Sequence, residues 1–248
     1  MTPTGWPAAA LPEELLAAPE LCSGDGWFFG GWGLGLLADA ARAGGGTVTD
    51  LHASFFRPVT VGDTLTVRSE VIGAGRTLRH CRVDAYVGEE RVLGGTAVVG
   101  PPPGPAEAPP PPVVPPPGDC PERTYLSGPG PGVRALLDVR IAGQRLDAGI
   151  GSRVLLWVRT KVPAAGEVRL AAASDHIPYL VRLTDDRLIR ASTVSASLRV
   201  CDADVDEWIL VDIGLVARTP RTAVGRATLW SAGTRLAGVA EQTTYLKR

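Results

Sequence analysis

From Pro101 to Pro121 the chain reads PPPGPAEAPPPPVVPPPGDCP. Proline fixes φ and has no amide hydrogen to donate, so this stretch is neither a helix interior nor a central strand. It reads as an extended, semi-stiff connector. It divides the 248 residues into 1–100 and 122–248, each large enough for one small domain.

The same order of elements stands on both sides. Before the connector, a glycine-rich entry (Gly30, Gly31, Gly33, Gly35) leads into LGLLADAARA, Leu34–Ala43, apolar at helical spacing and stopped by Gly44-Gly45-Gly46. Four strand-like runs follow: Leu51–Val59, Thr64–Gly73, Thr77–Gly88 and Arg91–Gly100. Gly62-Asp63 and Gly88-Glu89-Glu90 have the chemistry of hairpin turns. After the connector, Ser152–Val162 is a strand candidate. Glu167–Thr184 then reads mostly as helix, with Pro178 starting, kinking or ending part of it. Four strand candidates follow: Thr193–Cys201, Glu207–Thr219, Thr222–Gly233 and Arg235–Arg248. A helix followed by meandering strands, twice over, predicts an α+β fold. It would hold two fused units, each a central helix wrapped by an antiparallel sheet, paired edge to edge or face to face.

Composition narrows the function. Hydrophobic residues make up 45% of the chain, enough for a proper core, and the formal net charge is −1, which gives no sign of nucleic acid or an anionic membrane as partner. No apolar run approaches the roughly 20 residues that span a bilayer. Met1–Cys22 lacks a basic start followed by an apolar core, so it does not read as a signal peptide. A soluble, cytoplasmic protein is expected. Cys22, Cys81, Cys120 and Cys201 are widely spaced with no C-x-x-C pair, so free thiols are expected. His52, His80 and His176 form no H-E-x-x-H, so no metal is expected. Without G-x-S-x-G, G-x-G-x-x-G or G-x-x-x-x-G-K-[ST], the α/β-hydrolase elbow and both phosphate cradles are unsupported.

Phe29-Gly30-Gly31, then a helix, then Leu51-His52-Ala53-Ser54-Phe55-Phe56-Arg57-Pro58 resembles the N-terminal half of the type II acyl-CoA thioesterases, the TesB-like double-hotdog enzymes. Gly75-Arg76-Thr77 with Arg82-Val83 resembles a strand pair of that family. In the second half Ala173-Ser174-Asp175, Thr193 opening a strand, Glu207-Trp208-Ile209-Leu210 and Ala240-Glu241-Gln242 follow in the family's order. The resemblance implies a double hotdog that hydrolyses acyl thioesters of coenzyme A or of an acyl carrier protein, with no cofactor. It is compatible with a homo-oligomer. It also implies a catalytic set of Asp175, Thr193 and Gln242, with Gly30, Gly31 and Trp32 at the substrate. Trp32 stands where the family commonly has Gln, and Ser192 and Ser195 are rivals for the role of Thr193.

The implied chemistry is modest. The leaving thiol has a pKa near ~8.5 and departs readily, so the protein need only activate a water and stabilise an oxyanion. Asp175 would be the general base, in an apolar neighbourhood where a carboxylate needs a reason. The Thr193 hydroxyl and Gln242 amide would aim the water. Backbone amides at the helix start near Gly30-Gly31 would hold the oxyanion. His176 and Asp39 are rival bases, and His52 reads as a packing residue. Trp27, Phe28 and Phe29 line an acyl pocket or are plain core. Arg57, Arg76 and Arg79 meet coenzyme A phosphates or solvent. Two other readings keep the fold: a non-hydrolytic acyl-thioester-binding protein, and a dehydratase acting on a carrier-bound acyl chain.

Overall fold

A computed structural model of the chain describes residues 14–104, 106–124, 131–147 and 150–247. Three α-helices, three short 3-10 turns and eleven strands make up the regular structure of the described residues. The first half holds β1 (Glu14–Leu16), α1 (Gly30–Arg42), β2 (Thr47–Phe55), β3 (Thr64–Ala74), β4 (Arg79–Val87) and β5 (Glu90–Gly100). The second holds β6 (Leu137–Arg145), β7 (Arg153–Thr160), α2 (Gly166–Ser174), α3 (Ile177–Leu183), β8 (Arg190–Val200), β9 (Ile209–Arg218), β10 (Thr222–Ser231) and β11 (Arg235–Lys247). β1 and β6 escaped the sequence reading, the first for its three-residue length, the second although Leu137-Asp138-Val139-Arg140-Ile141 alternates apolar and polar as a strand does.

All eleven strands form one antiparallel sheet in the order β1-β3-β4-β5-β2-β8-β11-β10-β9-β7-β6. The halves therefore join edge to edge. The seam is the β2–β8 ladder, from Asp50 opposite Arg199 to Ser54 opposite Ser195. The expected Gly88-Glu89 turn links β4 and β5, with Val87 opposite Glu90. Gly62-Asp63 is a turn but not a hairpin: β2 and β3 are not neighbours in the sheet, and the Gly62 amide donates to the carbonyl of Ala17 at 3.0 Å.

The glycines expected to lead into α1 lie within it. They let the helices touch. A Cβ at Gly31 would stand 2.9 Å from the backbone of Ala172, and one at Gly35 3.0 Å from Val168, so any larger residue would push α1 off α2. The helices run antiparallel. The start of α1 meets the end of α2 at Gly31 and Asp175, while Glu167 at the start of α2 accepts the Val48 amide at 3.3 Å, just past the end of α1. That far end of α1 is closed by Arg79, whose guanidinium donates to the carbonyls of Ala41, Gly44 and Gly45. This side chain satisfies the helix C-terminus and lies outside the lining of the cleft described below.

Pro115 and Cys120 of the connector pack on the outer face of the second half: Cys120 clusters with Trp157, Leu210 and Trp230, and the indole of Trp157 donates to the Pro115 carbonyl at 2.9 Å. Among the described residues no helix is long and apolar enough to cross a membrane.

Candidate active site

The stretch read as one long helix is broken where it matters. Pro178 is in the first turn of α3, where its missing N–H leaves no bond unmade. Its ring would clash with the Ser174 carbonyl had α2 continued. The break leaves Asp175 outside both helices, at φ −85° and ψ 54°, with its carboxylate turned toward the start of α1.

Three elements meet at that carboxylate. Oδ2 accepts the backbone amide of Gly31 at 2.8 Å. Oδ1 accepts the side-chain amide of Gln242 at 2.5 Å and the hydroxyl of Thr193 at 3.4 Å. The Gln242 amide also donates to Thr193 Oγ1. Asp175, Thr193 and Gln242, far apart in sequence, are thus one hydrogen-bonded cluster. Gly30 permits it: a Cβ there would stand 2.7 Å from the Asp175 carboxylate. Gln242 is 4% exposed and faces inward, while Glu241 beside it faces out to Arg226 at 2.6 Å, as strand alternation requires. The Oε1 of Gln242 is buried and has no partner among the described residues. A pocket of about 10 Å³ borders Gly30, Ser174, Asp175, Ser197 and Gln242, and is the size of one water molecule.

Burial raises the Asp175 pKa to about 6, against the lowering effect of hydrogen bonds from Gln242, Gly31 and Thr193 and of the Arg123 charge. A carboxylate so tuned is ionised at neutral pH yet basic enough to take a proton.

Beyond the carboxylate opens a cleft of about 610 Å³, with Gly30, Phe55, Asp175, Tyr179 and Thr193 among its walls. Arg57, Arg123 and Arg182 line it, balanced by Asp25, which pairs with Arg182 at 3.3 Å. Arg123 and Tyr179 drew no notice in the sequence, since nothing local marks them. They meet only in the fold, the guanidinium 3.9 Å above the ring.

Other expectations need correction. Trp32 is fully buried in the core and is not part of the cleft wall, so its ring serves packing between the layers. The Gly31 amide, expected at an oxyanion, is committed to Asp175. Ser192 lines the cleft, but Thr193 makes the contacts with Asp175 and Gln242. His176 is 1% exposed, with Nδ1 3.2 Å from the Ala173 carbonyl and its ring edge-on to Phe29. Burial, and then the Arg123 charge, push its pKa well below the usual 6.5, so it stays neutral and inside. Asp39 pairs with Arg42 at 3.0 Å on α1, outside the cleft walls. His52 is exposed on β2 rather than packed. The cysteines are free, and burial, helped by Asp63 and Glu20, pushes the Cys22 thiol up to about 11.

A helix pair held against one continuous antiparallel sheet built from two like halves defines a double-hotdog protein. The chain belongs to the acyl-CoA thioesterase family: residues 18–100 match its N-terminal domain and residues 107–246 its C-terminal domain. A solved structure of a candidate thioesterase from Novosphingobium aromaticivorans is 27% identical, with a TM-score of 0.85 over 98% of this chain and 100% of that one. An acyl-CoA thioesterase II, TesB2, from Mycobacterium marinum is 20% identical and shares the fold at a TM-score of 0.70, over 88% and 89% of the two chains. An uncharacterized acyl-CoA thioester hydrolase of Zymomonas mobilis is 32% identical over 98 residues, 35% of this chain; the match spans 60% of the length of that curated relative.

Proposed function

We propose that the protein hydrolyses acyl-CoA thioesters with a water activated directly by Asp175, Thr193 and Gln242. The convergence of Thr193 and Gln242 on one oxygen of the Asp175 carboxylate carries the reading. The water sits in the small pocket against Asp175 and Gln242, its hydrogens shared between Asp175 and the orphan Oε1 of Gln242. Asp175 takes its proton as the oxygen attacks the thioester carbon. The Gly30 amide, free of helix partners at the first turn, faces the oxyanion. Collapse breaks the C–S bond, and the proton held by Asp175 passes to the departing thiolate, leaving a carboxylic acid and a thiol.

Arg57, Arg123 and Arg182 in the cleft wall favour an anionic carrier such as coenzyme A. The dehydratase alternative draws no support, since neither His52 nor His176 is part of the cleft wall. In the same reading, residues 1–100 and 122–248 are two units joined by 101–121, and the second supplies all three catalytic side chains.

The test is hydrolysis of acyl-CoAs followed with a thiol-reactive dye, then a single turnover in ¹⁸O-water with protein in excess. Direct attack puts the label in the released acid during that first turnover. Label retained on Asp175 would mean a covalent acyl-enzyme, and no thiol release from any acyl-CoA would defeat the hydrolase reading.

A further inference from the structure

The chain contains four phenylalanines, and all four, Phe28, Phe29, Phe55 and Phe56, line the cleft beside Asp175. Trp27, Tyr179 and Tyr245 add three more rings to the same walls. The main core is built chiefly of Leu, Val and Ala. Phe28, Phe29, Phe55 and Tyr179 pack against that core and also line the cleft.

The rings are also held in place. Phe29 meets His176 edge to face, with centroids 6.0 Å apart. Trp27 lies 3.7 Å beneath the guanidinium of Arg190, Phe56 lies 4.7 Å beneath Arg91, and Tyr179 lies 3.9 Å beneath Arg123. Phe28 and Phe55 rest on α1 at Gly33, where a Cβ would stand 3.3 Å from Phe55 and 3.8 Å from Phe28. Phe55 borders both the large cleft and the small pocket that holds Asp175 and Gln242. A thioester carbon within reach of that pocket therefore has Phe55 beside it, with Phe28 and Phe29 among the walls of the same cleft. Trp27, Phe56 and Tyr179, each under an arginine, are the rings backed by charge.

We propose that the acyl group selected here carries an aromatic ring at or next to the thioester carbonyl, as in an arylacetyl or aroyl thioester. The proposal rests on the hydrolase reading above and names its substrate class. A flat ring entering a set of fixed rings makes offset or edge-to-face contacts without ordering anything further. A straight alkyl chain gains only area there and loses the freedom of every bond it straightens.

The experiment compares phenylacetyl-CoA with octanoyl-CoA, which carry the same number of acyl carbons, on the full chain. The expected kcat/KM favours phenylacetyl-CoA by about ten-fold, the worth of one well-made ring pair. Phe55→Leu, which keeps apolar bulk but removes the ring, should bring the ratio of the two substrates toward one. Phe28→Leu serves if Phe55→Leu fails to fold, as judged by circular dichroism. Equal or better turnover of octanoyl-CoA by the parent overturns the ring preference and leaves the hydrolase reading standing. If neither thioester is cleaved, calorimetric binding of the same two thioesters decides, and the hydrolase reading is judged by the wider set of acyl-CoAs. Tighter binding of phenylacetyl-CoA keeps the ring preference, and equal binding ends it.

Discussion

The side-chain amide of Gln242 donates to Asp175 Oδ1 at 2.5 Å, tying the last strand of the chain to the break between α2 and α3. The bond holds the carboxylate in one orientation while the neighbouring Gly31 amide holds its other oxygen at 2.8 Å. Asp175→Asn keeps the volume and removes the proton acceptor. Its turnover of acyl-CoA should fall by roughly 10²–10⁴, the usual worth of a positioned general base, while thioester binding persists. A near-parental rate would move the base elsewhere.

Gln242→Ala and Thr193→Val loosen the water without removing the base. Each should lower kcat by roughly 10²-fold, as misplacing a reactant by about an ångström does. Because both side chains share one oxygen of Asp175, the double variant should lose far less than the product of the two single losses. Full multiplication in steady-state kinetics would show that the residues act on different groups.

Much of this site was legible in the sequence because its chemistry travels in short motifs. Ala173-Ser174-Asp175 and Ala240-Glu241-Gln242 identified two members of the cluster, and Pro178 marked the break that turns Asp175 outward. Arg123 and Tyr179 were not legible, since their meeting depends on how the end of the connector lies against α3. The glycines of α1 read as an entry leading into the helix, because glycine weakens an isolated helix. Close approach to Ala172 and Val168 outweighs that propensity. Trp32 differs from Gly30 close by, which borders the cleft: at its own position along α1 the side chain enters the core.

Glu107 is exposed in a segment without helix or strand, so a Glu-specific protease should cut there first. The two fragments should co-elute in size-exclusion chromatography, because the β2–β8 ladder and the α1–α2 contact both cross the cut. Earlier cleavage at Glu70 in β3 or Glu241 in β11, or fragments that separate, would refute the proposed division at 101–121.

The raised pKa of Asp175 also has a consequence for stability. A carboxylate at about 6 in the folded chain, against 3.8 as its ordinary value, binds its proton more tightly when folded. Folding is then favoured by this group below about pH 4, and the advantage is lost as pH rises through about 6. At neutral pH the ionised side chain is a burden that its hydrogen bonds only partly offset, because the neighbourhood is apolar and desolvation is the largest influence on it. Asp175→Asn carries no such burden. Its Tm relative to the parent should therefore rise between pH 4 and pH 7.5, even as its activity is lost. Activity and stability would then trade against each other at one atom, as expected where a base is kept ionised in a dry site. Thermal unfolding of both proteins at the two pH values decides the matter. A difference in Tm that stays constant, or shrinks as pH rises, would mean that solvent reaches the carboxylate freely and that its basicity has another source.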